Sequence, residues 1–239
     1  MAIEKLSVII PVFNEESTIY QVLNAVHLLE LMNNIKKEII VVNDCSTDQT
    51  EILIRKFVSD FPEAKINYLS HDGNKGKGAA IQTAIHHTSG DYLVIQDADL
   101  ELNPNDLNVL LKPVIEEQVD VVYGSRFLNR SRNINQSIGS YFANRFLTWL
   151  SNRCSGLHLT DMETCYKMMS TELVKKIKLK ESRFGFEPEI TAKLSKFKDV
   201  RFTEVPVTYE TRTKEEGKKI GWKDGVRAIV CIIKYNFFA

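Results

Sequence analysis

Five short runs rich in β-branched and aliphatic residues punctuate the first half of the chain: residues 6–12 (LSVIIPV), 38–44 (EIIVVND), 66–70 (INYLS), 91–97 (DYLVIQD) and 120–125 (DVVYGS). Their apolar residues fall on both alternating faces, the pattern of strands buried on both sides. Between them, residues 16–32, 48–61, 76–88 and 104–118 carry apolar positions at helical spacing, and Pro104 suits a first turn, where its missing N–H has no intrahelical partner to lose. The alternation predicts an α/β fold with a mostly parallel central sheet flanked by helices. Ligands of such sheets bind beyond the carboxyl ends of the strands. Residues 11–15, 43–48, 70–77, 97–101 and 124–126 are therefore expected to converge on one crevice.

Two further stretches, 137–153 and 222–238, are amphipathic. The first is apolar at Ile138, Tyr141, Phe142, Phe146, Trp149 and Leu150, the second at Trp222, Val226, Ile229, Val230, Ile233, Phe237 and Phe238. Arginines and lysines flank these aromatics, which suits an interfacial helix as well as a core helix or a subunit contact. No apolar run approaches the roughly 18–20 residues that a membrane-spanning helix needs. The opening MAIEKLSVIIPVF has neither a basic lead nor a small-residue cleavage site, so it reads as a first strand and a cytoplasmic location is expected.

With 239 residues, 44% of them hydrophobic, and no Pro/Gly/Ser-rich linker, residues 1–239 are expected to form a single domain. Cys45, Cys154, Cys165 and Cys231 show no CxxC spacing and read as reduced thiols. The zero net charge conceals an asymmetry: residues 1–120 hold 9 Lys/Arg against 19 Asp/Glu, and residues 121–239 hold 22 against 12. An acidic half suits a metal and a basic half suits phosphates. Between Asp120 and Asp161 there is no acidic residue, while Arg126, Arg130, Arg132, Arg145 and Arg153 all fall there. No nucleic-acid partner is expected.

Neither a GxGxxG fingerprint nor a GxxxxGK[ST] loop occurs, so a dehydrogenase or a P-loop ATPase is disfavoured. Asp97-Ala98-Asp99 stands at the end of a strand with Glu101 two residues on. Carboxylates this close repel one another unless a cation intervenes, and such hard oxygen ligands suit Mg²⁺ or Mn²⁺ shared with a phosphate. Asp44 ends the second strand, where it could accept hydrogen bonds from a base or ribose or serve the turn alone. The loop 71–78 (HDGNKGKG), which contains Lys77, runs into a helix whose N-terminus favours an anion.

The segments SVIIPVFNEE, VVNDCSTDQT, GNKGKGAAI, QDADLE, YGSRF, TDMETCYKMM, FGFEPEI and YETRTKEEGKKIGWKDG occur in an order and spacing that resemble family 2 glycosyltransferases of the GT-A fold. Within that family the dolichyl-phosphate mannose/glucose synthases and their bacterial polyprenyl-phosphate counterparts are the most similar, over about residues 5–235. The resemblance implies an inverting, metal-dependent hexosyltransferase at the inner face of the membrane. A nucleotide-diphosphate sugar would be its donor, a polyprenyl (dolichyl-like) phosphate its acceptor, and Mg²⁺ or Mn²⁺ its cofactor. It implies that Pro11, Phe13, Glu15 and Asp44 hold the nucleoside, with Lys77 beside them, and that Asp97, Asp99 and Glu101 serve metal and diphosphate. Glu101 replaces the glutamine of the mannose synthases and adds a charge. Arg126, Arg212 and Lys218 would face phosphates, the last two from a Lys/Arg- and Gly-rich loop at 211–221 with the composition of a lid. Tyr141 and Phe142, with Arg145 following, stand where mannose synthases carry a basic residue before an Ala-Asn pair. A lipid phosphate acceptor is already anionic and needs no general base. A saccharide or peptide hydroxyl would need one, and Glu187 or Glu189 would supply it. A non-catalytic nucleotide-sugar binding module is the remaining alternative.

Overall fold

The computed structural model describes residues 3–128, 138–210 and 221–238. A seven-stranded sheet runs in the order β3-β2-β1-β4-β6-β5-β7. Its strands are β1 (Lys5–Val12), β2 (Lys36–Asn43), β3 (Asn67–Ser70), β4 (Tyr92–Ile95), β5 (Val121–Ser125), β6 (Lys167–Ser170) and β7 (Phe202–Pro206). β6 lies antiparallel to both of its neighbours, and every other pairing is parallel. The five strands expected from the first half of the sequence all form, within a few residues of their expected bounds. The apolar residues of β1 and β2, among them Val8, Ile9, Ile10, Ile40, Val41 and Val42, are fully enclosed, as double-sided hydrophobicity requires.

The helices are α1 (Ile19–Leu28), α2 (Thr50–Asp60), α3 (Lys77–His87), α4 (Leu107–Glu117), α5 (Ile138–Ser155), α6 (Thr171–Lys175), α7 (Phe186–Leu194) and α8 (Trp222–Phe237). Pro104 opens a 3₁₀ turn ahead of α4. α8 packs against α5 and α7. Glu181 anchors it by taking Arg227 at 2.7 and 2.8 Å and the Tyr235 hydroxyl at 2.7 Å. None of the helices, among the described residues, is long and apolar enough to cross a membrane. All four cysteines are free thiols.

Chain order reverses at β1, whose neighbours are β2 and β4. The turns after these three strands open on one side of the sheet and are stitched together. Asn14, at φ +51°, donates its N–H to Ser46 Oγ (3.0 Å) and accepts from Thr47 N (2.8 Å), while Thr18 Oγ1 donates to the Ala98 carbonyl (2.9 Å). Such a switch point between parallel strands is where open α/β sheets form their ligand crevice.

Candidate active site

A cavity of about 1050 Å³ occupies this crevice. Pro11, Phe13, Glu15, Asp44, Lys77, Asp97, Asp99, Glu101 and Arg126 all line it, so the structure brings together nine of the residues singled out in the sequence. Arg212 and Lys218 lie outside the described residues. Glu189 departs from expectation. It is fully buried but not on the cavity wall, and its carboxylate accepts from Lys180 N, Glu181 N and Lys193 Nζ at 2.6–3.0 Å. Because α7 starts at Phe186, one turn points Glu189 into the protein and Glu187 into the cavity.

Asp44 is only 2% exposed and accepts from His71 Nδ1 (2.7 Å), Lys75 N (2.9 Å) and Gly76 N (2.7 Å). The anion expected at the start of α3 is thus, in this structure, the protein's own carboxylate. His71 passes the network on to Thr83 Oγ1 at 2.9 Å. Gly76 sits at φ +98°, and a Cβ there would stand 2.4 Å from the Ser182 carbonyl oxygen. Glycine at this position therefore lets the loop lie on the backbone of 181–183.

Lys77 Nζ lies 2.8 Å from Asp97 Oδ1 and 3.5 Å from Glu187 Oε1. Burial works against the ammonium, but Asp97, the Cys165 thiol and Glu187 outweigh it and hold the lysine well above its ordinary range. Burial likewise opposes ionisation of Asp97, and Lys77 outweighs it, so that carboxyl stays below its usual range. Asp99 Oδ1 accepts from Glu101 N (3.1 Å), and Glu101 Oε2 accepts from the Tyr209 hydroxyl (3.1 Å). The three carboxylates do not close into a ligand cluster among the described residues. The donor set nonetheless fits a hard divalent ion: Asp97 and Asp99 present oxygens from one turn, and Lys77 shows that a cation is accommodated at Asp97.

Arg126 is held rather than free. Its Nε and one terminal nitrogen donate to Asp161 at 2.7 and 2.8 Å, and its guanidinium lies over the rings of Tyr209 and Phe127. Asp161 raises the arginine's pKa despite burial. The guanidinium is thereby a cation fixed in place at the cavity wall.

β6 supplies the part of the site that the hydrophobic pattern did not reveal. Running antiparallel between β4 and β5, it and the turn before it carry Glu163 and Cys165 to the cavity wall, with Asp161 behind Arg126 and Lys167 buried beneath. Lys167 is fully buried, donates to the carbonyls of Met162 (2.9 Å) and Thr164, and covers the Tyr123 ring. Burial and the neighbouring Glu187 push the Glu163 carboxyl up to about 8. Four buried side-chain atoms lack a hydrogen-bond partner among the described residues: Asn144 Oδ1, Glu163 Oε1, Thr171 Oγ1 and Glu187 Oε2. Three of the four belong to residues of this cavity wall, and buried oxygens without partners are costly unless a ligand completes them. Sequence reasoning gave no role to His71, Glu163 or Arg183, the last two of which are wall residues. A usable signal lay in TDMETCYKMM, where acidic residues resume after forty positions without one.

Known proteins resemble this chain in sequence and in fold. A dodecaprenyl-phosphate galacturonate synthase of Rhizobium johnstonii is 27% identical over 98% of this chain and 67% of the relative. A dolichyl-phosphate beta-glucosyltransferase of Trichomonas vaginalis is 26% identical over 98% and 73%. In structure, the glucosyl-3-phosphoglycerate synthase of Mycobacterium tuberculosis, crystallised with Mn²⁺, UDP and phosphoglyceric acid, superposes with a TM-score of 0.73 at 19% identity, covering 99% of this chain and 80% of that one. That likeness gives the fold, which is GT-A. The profile described as glycosyl transferase family 2 matches residues 7–178, nearly all of the sheet and the acidic turn at its centre, and the chain therefore belongs to glycosyl transferase family 2.

Proposed function

We propose that the protein transfers a hexose, with inversion, from a nucleotide-diphosphate sugar to a polyprenyl phosphate at the cytoplasmic face of a membrane. The observation that carries this reading is the construction of the cavity from two chemically different walls. One wall is the acidic turn cluster of the sheet. The other is α5 and α8, through Ala143, Asn144, Phe146, Val226 and Ile229. Outside the cavity those helices expose Tyr141, Phe142, Trp149, Val230, Ile233 and Phe237, with Arg145, Arg153 and Lys223 also exposed. An aromatic and aliphatic face edged with cations suits the boundary of an anionic bilayer. A lipid phosphate held there would enter the cavity along the surface in which its chain is dissolved. The names of the Rhizobium and Trichomonas relatives, both built on polyprenyl-type phosphates, support the same acceptor.

In this reading Asp97 and Asp99 would hold Mg²⁺ or Mn²⁺, which when bound neutralises the diphosphate as a Lewis acid. Pro11, Phe13, Glu15 and the Asp44 loop flank the nucleoside, and Lys77 stands beside the diphosphate. Arg126, immobilised by Asp161, offers a fixed positive charge to an incoming or departing phosphate and needs little reorganisation to do so. An acceptor phosphate is anionic at neutral pH, so its oxygen attacks the anomeric carbon from the face opposite the leaving group without a general base. The new bond is a glycosyl phosphate with inverted configuration, and the nucleoside diphosphate departs.

The test is nucleoside-diphosphate release by purified protein with Mg²⁺ or Mn²⁺ and a panel of UDP- and GDP-sugars, with and without a polyprenyl phosphate. Release from one donor only in the presence of the lipid is the expected result. Donor binding that the lipid leaves unchanged would instead favour a hydroxyl acceptor with Glu187 as base.

The docking face makes a separate prediction. Trp149→Glu combined with Val230→Glu alters two exposed side chains that do not line the cavity. The double variant is expected to lose at least about tenfold in co-flotation with vesicles containing anionic lipid. It should retain turnover on a short, water-soluble polyprenyl phosphate. Unchanged flotation would remove the membrane face from the proposal.

A further inference from the structure

Kinship leaves the sugar open, since one relative is named for a neutral glucosyl group and another for a uronic acid. The structure narrows the choice at the far end of the Lys77 bridge. Lys77 ties Asp97, on the turn expected to face the diphosphate, to Glu187 on α7. In a nucleotide sugar the hexose lies next to the diphosphate, so its hydroxyls fall within reach of whatever lies beside Lys77 on the wall. Glu187 is 5% exposed, and its Oε2 has no partner among the described residues. Glu163 Oε1 is equally enclosed and unpartnered, and the two carboxyl groups act on each other electrostatically.

Among the described residues three of the nearby cations are already committed, and a fourth, Arg183, runs its side-chain stem past Gly76 on the Asp44 loop. Lys77 Nζ faces Asp97 and Glu187, and Lys167 Nζ faces the carbonyls of Met162 and Thr164 and the Tyr123 ring. Arg126 is forked onto Asp161. The buried wall atoms without a hydrogen-bond partner among the described residues, Glu187 Oε2, Glu163 Oε1 and Asn144 Oδ1, are all oxygens. Such a wall is completed by groups that donate hydrogen bonds. A sugar hydroxyl does this, and burying the oxygens against it removes the cost of leaving them unpaired. A uronate carboxylate has no hydrogen to give and would set a second anion against Glu187 in a site of low dielectric.

We infer that Glu187, with Glu163, is a specificity-determining pair that selects a neutral, hydroxyl-bearing hexose and rejects the corresponding uronic acid donor. The inference rests on the nucleotide-sugar reading above and sharpens it.

The experiment pairs donors that differ only at this group: UDP-glucose with UDP-glucuronate, UDP-galactose with UDP-galacturonate, and GDP-mannose with GDP-mannuronate. Binding is followed by titration calorimetry and kcat/KM by nucleoside-diphosphate release, with UDP and GDP alone as controls. The wild-type protein should prefer the neutral member of its pair by at least about a hundredfold, and Glu187→Gln should narrow that ratio by about tenfold or more, as expected for a buried charge contact. Glu163→Gln, which keeps an acceptor oxygen at the same position, should narrow it less. Affinity for the nucleoside diphosphate alone should stay within about twofold in both variants, a readout that general misfolding would move. Equal use of both members by the wild type, or a ratio unchanged in Glu187→Gln, overturns the inference while leaving the nucleotide-sugar reading intact. Failure of UDP, GDP and every donor to bind the wild-type protein overturns that reading and the inference with it.

Discussion

Asp99→Asn is expected to lower turnover about a thousandfold, the loss associated with removing one preorganised electrostatic contact to developing charge in a transferase transition state. The residue is half-buried on the turn after β4, and the acceptor role of its Oδ1 toward Glu101 N can be kept by an amide oxygen. The substitution therefore removes a charge without removing the turn. The melting temperature should stay within about 2 °C of wild type, as for a substitution that creates neither a cavity nor an unpaired buried charge. The decisive measurement is nucleoside-diphosphate release at saturating Mg²⁺ or Mn²⁺, alongside a thermal melt. Full turnover in a folded variant would take Asp99 out of the chemistry. Wild-type donor binding by a protein with no turnover in either form would point to a binding module.

Asp161→Ala should have the largest effect on stability. Asp161 is fully buried and accepts from the backbone N, Nε and a terminal nitrogen of Arg126 at 2.7–3.1 Å. Its own N–H donates to Glu204 Oε1, which ties the turn before β6 to β7. Removing the carboxylate leaves a guanidinium enclosed without its counter-ion, a change that costs about 3–5 kcal/mol when a buried pair is broken on one side. In a chain of this size that corresponds to a fall in melting temperature of roughly 10 °C. Arg126→Met added to Asp161→Ala removes the stranded charge and should recover part of the loss, because an apolar replacement of a whole buried pair is often close to neutral. Activity should not recover with stability, since the fixed cation at the cavity wall is then gone. A single variant as stable as wild type would show that the pair contributes little to the fold, and a double variant with full activity would show that the cation is not used.

Much of this molecule follows from local patterns. Each of the first five strands is a run apolar on both faces, each of the first four helices a stretch with helical spacing, and a local pattern of that kind needs no knowledge of distant residues. The parallel arrangement then places strand ends together, so the convergence of Pro11, Asp44, Asp97 and Arg126 on one cavity could be read from chain order. The motif order carried the family.

What the tertiary structure alone decided depends on neighbours far apart in sequence. β6 is four residues long, and its residues become a strand because β4 and β5 accept it on both sides. Asp161, Glu163, Thr164 and Lys167 interrupt the apolar run that would have marked it. Glu187 and Glu189 are two positions apart in one motif, yet the start of α7 at Phe186 sends one into the cavity and the other to the amides of Lys180 and Glu181. Asp44 and Arg126 were legible as charged residues at strand ends. That the first would be occupied by its own loop and the second by Asp161 could be known only once segments more than 25 residues distant had been brought against them. Composition and order determine which groups reach the crevice. Long-range packing determines which of their hydrogen-bonding positions are already filled, and thus which remain for a substrate.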